Sequence, residues 1–153
     1  MANVRDLAVR EIVRRSARYF PDNEAVVDEA YRYTYAQLMD KIQRTAAIYH
    51  SMGVRKGDRV ALMLLPSANH VVALFAAYEL GAIPVALHAR ESPSLLAKTL
   101  ERLAPRVLVY EGGLADSVAE FRDQVPFITG YICARSGITT DDQVQVDDPV
   151  IPD

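Results

Sequence analysis

The sequence predicts an α/β fold, a mostly parallel sheet flanked by helices. Three observations carry that expectation. Val60-Ala61-Leu62-Met63-Leu64-Leu65 is apolar without alternation, as a strand covered by helices on both faces requires. Two further short apolar runs follow, residues 83–87 and Arg106-Val107-Leu108-Val109-Tyr110, each separated from the last by room for one helix. Alternation at this spacing implies parallel strands joined by right-handed crossovers. With 153 residues, half of them hydrophobic, the chain has one domain's worth of sequence and can bury about 70% of its unfolded surface.

The first helix is expected to start after Asn3, with Asp6 in its first turn at the positive helix end. Val4, Leu7, Ala8 and Ile12 recur at three- and four-residue spacing and form its inner face; Pro21 ends the segment. Arg10, Arg14 and Arg18, with Arg15 beside them, read as a solvated face, because Glu11 interrupts the positive field and no aromatic residues interleave. Ala25-Val26-Val27-Asp28 and Tyr31-Arg32-Tyr33-Thr34 are strand candidates around a turn at Glu29-Ala30, a small hairpin. Thr34 and Gln37 have capping-box spacing. Behind them Leu38, Ile42, Ala46 and Tyr49 form a helical stripe that Gly53 terminates.

After the strand at 60–65, a helix near 67–80 is expected to bury Val71, Val72, Leu74, Phe75 and Tyr78, with Ser67 and Asn69 as caps and Gly81 as its stop. Ser92-Pro93 starts the next helix with a capping serine and a proline at the first helical position. Leu95, Leu96, Thr99, Leu100 and Leu103 supply its apolar face, and Pro105 ends it. Gly112-Gly113 is a turn, followed by a weaker helix at 114–124 and a strand at 127–133.

The chemistry is sparse. A net charge of −3 gives no overall basic field to draw the chain to nucleic acid. The turn after residue 65 reads Pro66-Ser67-Ala68-Asn69, without the glycine that lets backbone approach a phosphate, and neither nucleotide-binding glycine signature occurs. His50, His70 and His88 stand far apart on different elements, with no carboxylate or thiol at ligand spacing. Cys133, the one cysteine, rules out an internal disulfide, fits a reducing cytosol, and sits in an apolar setting that favours an inert thiol. No apolar run reaches the roughly 18–20 residues that span a bilayer, and no signal-peptide core is visible, so the expectation is a cytoplasmic chain. From Ser136 onward Asp141, Asp142, Asp147, Asp148 and Asp153 occur with no Lys or Arg, which reads as a solvated acidic linker.

Pro21, Ala25, Thr34-Tyr35 with Leu38, Gly53-Val54, Gly57-Asp58 with Val60, Gly81-Ala82 and Pro84 form an ordered series. In that order and spacing the chain resembles the N-terminal part of the acyl-CoA synthetases of the adenylate-forming, AMP-binding superfamily. The likeness is close over residues 16–110 and looser over 111–149. It implies an N-terminal α/β subdomain of such an enzyme at 1–135, and an acidic linker or truncated end at 136–153. The parent activity implied is ATP-dependent: carboxylate and ATP give an acyl-adenylate, which passes its acyl group to coenzyme A, with ATP, Mg2+ and CoA as the parent's cofactors and fatty-acid metabolism as its setting. Asp147-Asp148-Pro149 resembles the residues preceding the family's phosphate loop. That loop, the adenine-binding aromatic motif, the ribose-binding Asp and the catalytic Lys would lie beyond Asp153. The chain alone is therefore expected to be a structural portion without catalytic residues or bound cofactor. The resemblance places His88, Ala89 and Arg90 where some relatives touch the CoA nucleotide, and Arg90 could pair with a phosphate there. Expected partners are the remainder of the parent enzyme and, through exposed apolar surface, a second copy. Two other readings stay open: a free-standing α/β interaction domain, and a flavodoxin-like small-ligand binder.

Overall fold

The computed structural model describes residues 8–134. The expectations for Asn3, Val4, Asp6, Leu7 and the whole of 136–153 lie outside the described residues. The elements are α1 (Arg10–Tyr19), β1 (Glu24–Val27), β2 (Arg32–Thr34), α2 (Tyr35–Ser51), β3 (Arg59–Met63), α3 (Ala68–Glu79), β4 (Ile83–Ala86), α4 (Pro93–Leu103), β5 (Val107–Glu111), a single 3-10 turn (Gly112–Leu114), α5 (Ala115–Arg122) and β6 (Gly130–Ala134).

β3 to β6 form one sheet in the order β4-β3-β5-β6, and every pairing in it is parallel. Strand alternation divides the core in two. Val60, Leu62, Val107, Val109 and Ile132 face α1, α2 and α3, while Ala61, Met63, Leu108, Tyr110 and Cys133 face α4 and α5. Val60 to Met63 are fully buried, so the unalternating apolar run does report cover on both faces. Cys133 is 1% exposed, as an inert core thiol should be.

The hairpin β1–β2 is antiparallel, pairing Glu24 with Thr34 and Val27 with Arg32. Its turn is held by Asp28, whose Oδ1 accepts from the backbone N–H groups of Ala30 (2.8 Å) and Tyr31 (2.7 Å). Thr34 and Gln37 make the capping box in both directions. The stripe Leu38, Ile42, Ala46 and Tyr49 is buried against the sheet and α3. Tyr49 is completely enclosed, its hydroxyl donating to the Ala73 carbonyl at 3.3 Å, and burial pushes its pKa up. Gly53 takes φ +88° and Gly81 takes φ +68°, the left-handed conformation that ends a helix most cheaply in glycine. Arg55 covers the end of α2 by donating to the His50 carbonyl at 2.8 Å.

Three inner faces differ from the pattern reading. In α1, Val13 is buried and Ile12 is 60% exposed. Arg14 forks onto Glu79 at the end of α3, one arm at 2.9 Å, and this turns Val13 and Ala17 inward. In α3 the buried residues are Ala68, Asn69, Val72, Ala73, Ala76 and Ala77; Val71, Leu74, Phe75 and Tyr78 are only half-buried. Small side chains let α3 approach α2 and the sheet closely, and the larger ones flank that seam. In α4, Leu96, Ala97 and Leu100 are buried, whereas Leu95 is exposed.

Candidate functional site

In a doubly wound sheet, ligands bind beyond the carboxyl ends of the strands, where neighbouring connections diverge. Here β3 connects to β4 on one side, while β5 connects to β6 on the other. The crevice between β3 and β5 is therefore the geometric candidate. It is bordered by Leu65-Pro66-Ser67 and Glu111-Gly112-Gly113.

Its chemistry is unsuited to a phosphate. Ser67 caps α3 through its Oγ, which accepts from His70 N–H at 3.2 Å. The next free donor, Ala68 N–H, is taken by Asp28 Oδ2 at 2.6 Å, from a turn 40 residues earlier. These backbone hydrogen bonds, Ala68 first and then Tyr31, hold the Asp28 carboxyl below its ordinary pKa. A helix N-terminus that would attract an anion thus already holds one supplied by the chain. Glu111, at the end of β5, has a buried Oε2 without a hydrogen-bond partner among the described residues. With its first free donor already taken by the chain's own carboxylate, the turn does not fit an ATP phosphate. Asn69, read as a second cap, is instead buried at 6% exposure.

The loop after β4 is built differently. His88 and Arg90 are exposed and Ala89 is half-buried against the α4–α5 core. His88 Nδ1 stands 3.9 Å from Glu91 Oε1, and Glu91 N–H closes the turn onto the His88 carbonyl. Among the described residues, Arg90 has no carboxylate partner. Its charge faces solvent directly before α4, where Ser92 and Pro93 open the helix. The structure thus brings His88, Ala89 and Arg90 together on one exposed loop, suited to a solvent-borne anion rather than to proton transfer.

Sequence reasoning missed one concavity. An open groove of about 470 Å3 lies between the hairpin and α2, lined by Arg32, Tyr33, Ala36, Gln37, Asp40 and Lys41. Lys41 Nζ stands 5.2 Å from the Tyr33 ring. The hairpin and helix were each legible; their juxtaposition was not. Among the described residues no cluster of His, Cys, Asp and Glu could hold a metal ion, and no helix is long and apolar enough to cross a membrane.

Comparison with known proteins agrees with this architecture. The family model described as AMP-binding enzyme matches residues 13–149. The crotonobetaine/carnitine–CoA ligase of Salmonella paratyphi A is 32% identical over 119 residues, 78% of this chain and 22% of that protein. A salicyl-AMP ligase of Mycobacterium tuberculosis is 40% identical over 79 residues, 48% of this chain and 14% of its own length. The solved structure of a Mycobacterium tuberculosis fatty acyl CoA synthetase superposes with a TM-score of 0.79 at 27% identity, covering 83% of this chain and 26% of that one. The chain thus spans about a fifth of the length of such a curated relative. With the matched residues running through the hairpin, the whole parallel sheet and the helices on both its faces, this chain belongs to the AMP-binding enzyme family and corresponds to its N-terminal part.

Proposed function

We propose that residues 1–135 act as the N-terminal structural portion of an ATP-dependent, cytoplasmic acyl-CoA synthetase, and that 136–153 are the acidic segment leading from it. In this reading the chain supplies a wall of the enzyme while the rest of the parent supplies the adenylation chemistry and its Mg2+. The observation that carries it is the contrast between two loops at the carboxyl end of the sheet. Asp28 stoppers the β3–α3 turn, whereas the β4–α4 loop leaves His88 and Arg90 open to solvent.

Coenzyme A, when bound, supplies the thiol that accepts the acyl group. Arg90 would meet a phosphate of its nucleotide through the planar guanidinium fork, with His88 beside it and Ala89 anchoring the loop to the core. These residues bind and orient; none is placed to move a proton on an acyl carbon.

Adenylation depends on donors organised around the reacting α-phosphate of ATP, and in this reading the rest of the parent supplies them. Purified chain should therefore show no ATP–pyrophosphate exchange with any carboxylate. Exchange above background, abolished by no contaminant control, would sink the proposal. The binder reading finds no support at the β3–α3 turn, where Asp28 already occupies the helix N-terminus.

A further inference from the structure

We propose that the amino end of the sheet is an interaction face for an acidic segment of a separate protein, an extended stretch carrying several Asp or Glu carboxylates. All four strands run the same way, so the loops that enter them share one end of the molecule. That end lies opposite the crevice and the β4–α4 loop, so the inference does not rest on the function proposed for them. Backbone hydrogen bonds knit the loops together. Gly57 N–H donates to the Gly81 carbonyl (2.9 Å), Ile83 N–H to the Asp58 carbonyl (2.8 Å) and Arg106 N–H to the Arg59 carbonyl (2.8 Å).

Four exposed cations stand on these loops: Arg55, Lys56, Arg59 and Arg106. The chain as a whole carries a charge of −3, so this concentration of positive charge is local. Arg55 Nη1 donates to the carbonyls of His50 (2.8 Å) and Val54 (2.9 Å). The Arg106 guanidinium lies against Gly53, its Nη2 3.1 Å from where a Cβ would stand, and Lys56 lays its stem over Gly81 in the same way, Cγ at 3.1 Å. Attraction to the negative end of α2 accounts for Arg55, whose donors go to the last carbonyls. It does not account for Lys56 and Arg59. Among the described residues no carboxylate pairs with either of them or with Arg106. Asp58, the one acid in residues 53–59, 81–83 and 104–106, gives its Oδ2 to the Arg55 N–H at 2.7 Å. Glu79, at the end of α3, is taken by Arg14. Like charges gathered without carboxylates between them repel, and a bound anion relieves that repulsion.

The layout selects the kind of anion. Neighbouring strands stand about 4.8 Å apart, so the starts of β4, β3 and β5 spread these cations over roughly 10 Å. One phosphate cannot span that distance. Alternate residues of an extended chain stand about 6.5–7 Å apart, so an acidic segment can offer successive carboxylates to successive cations, with the arginine forks gripping them bidentately. Residues 53–59, 81–83 and 104–106 contain no aromatic side chain on which a nucleic-acid base would stack. Ile83 is the one large apolar side chain exposed there, too little to seat the face in a membrane surface.

Amide-resolved NMR titration of the whole chain with a short peptide of alternating Asp and Ser, and with its Asn counterpart, tests this. The Asp peptide should shift the amides of Arg55, Lys56, Arg59 and Arg106 saturably, more weakly as salt is raised, and leave His88, Ala89 and Arg90 unmoved. The double variant Lys56→Gln, Arg59→Gln should bind about five- to tenfold more weakly with its circular dichroism retained. Should that variant fail to fold, the contrast between the Asp and Asn peptides on the unmodified chain decides. The absence of saturable shifts at the four amides overturns the proposal, as does equal binding of the Asn peptide or undiminished binding by the folded double variant. Short single-stranded RNA or anionic vesicles that bind the same amides more tightly than the Asp peptide also overturn it, in favour of that partner.

Discussion

A carboxylate at a helix N-terminus takes the place of a bound anion, and Asp28 shows how such a residue sets what a turn can accept. Its three backbone hydrogen bonds tie the hairpin turn to the first residue of α3. Replacing it with alanine should speed amide exchange at Ala30, Tyr31 and Ala68 while β3 and β5 stay protected. The pH dependence has a fixed sign. The folded pKa lies below the ordinary 3.8, so this contribution is fully present above that value and is lost as pH falls through the folded pKa. The stability difference between wild type and Asp28→Ala should therefore shrink toward zero under acid, and a difference independent of pH would contradict the assignment. None of this was legible in the sequence. The partners are separated by 40 residues, and only folding brings an aspartate that reads as the last residue of a strand candidate to the helix end.

Elements were legible where their periodicity was strong and their ends were punctuated. The capping box at Thr34 and Gln37, the glycine stops at Gly53 and Gly81, and the buried stripe of α2 all stand where propensity put them. Rotation of a helix about its own axis is harder to read, because neighbours set it. On α1 that neighbour is Glu79, whose side chain is 8% exposed while Arg14 is 45% exposed. Glu79→Ala should cost about 1 kcal/mol in urea unfolding, an exposed-pair value raised somewhat by the bidentate geometry, and should loosen α1 ahead of the sheet. The end of α4 predicts the opposite sign. Ala104 is the one non-glycine residue with positive φ among the described residues, at +44°, and its Cβ is strained there. Ala104→Gly should stabilise the chain by about 0.5–1 kcal/mol, since relief of strain exceeds the entropy glycine adds to the unfolded state. Unchanged or lower stability would show that the left-handed turn costs alanine little.

At the scale of the molecule, the parallel sheet between helices followed from apolar runs without alternation, and the family from a handful of ordered turn residues. Two things did not follow. The preference for alanine along α3 reflects how near α2 must come, which no single-helix pattern contains. The stoppering of the β3–α3 turn reflects the long-range contact of Asp28. Both bear on the central claim, that this chain is scaffold and CoA-facing loop rather than adenylation site. The direct test is a pair of amide-resolved NMR titrations of the chain, one with coenzyme A and one with ATP. The account predicts that coenzyme A shifts the amides of His88, Ala89, Arg90 and the first turn of α4, and that ATP leaves Ser67, Ala68 and Asn69 unmoved. Saturable ATP shifts at those three residues, with the β4–α4 loop silent to coenzyme A, would contradict it.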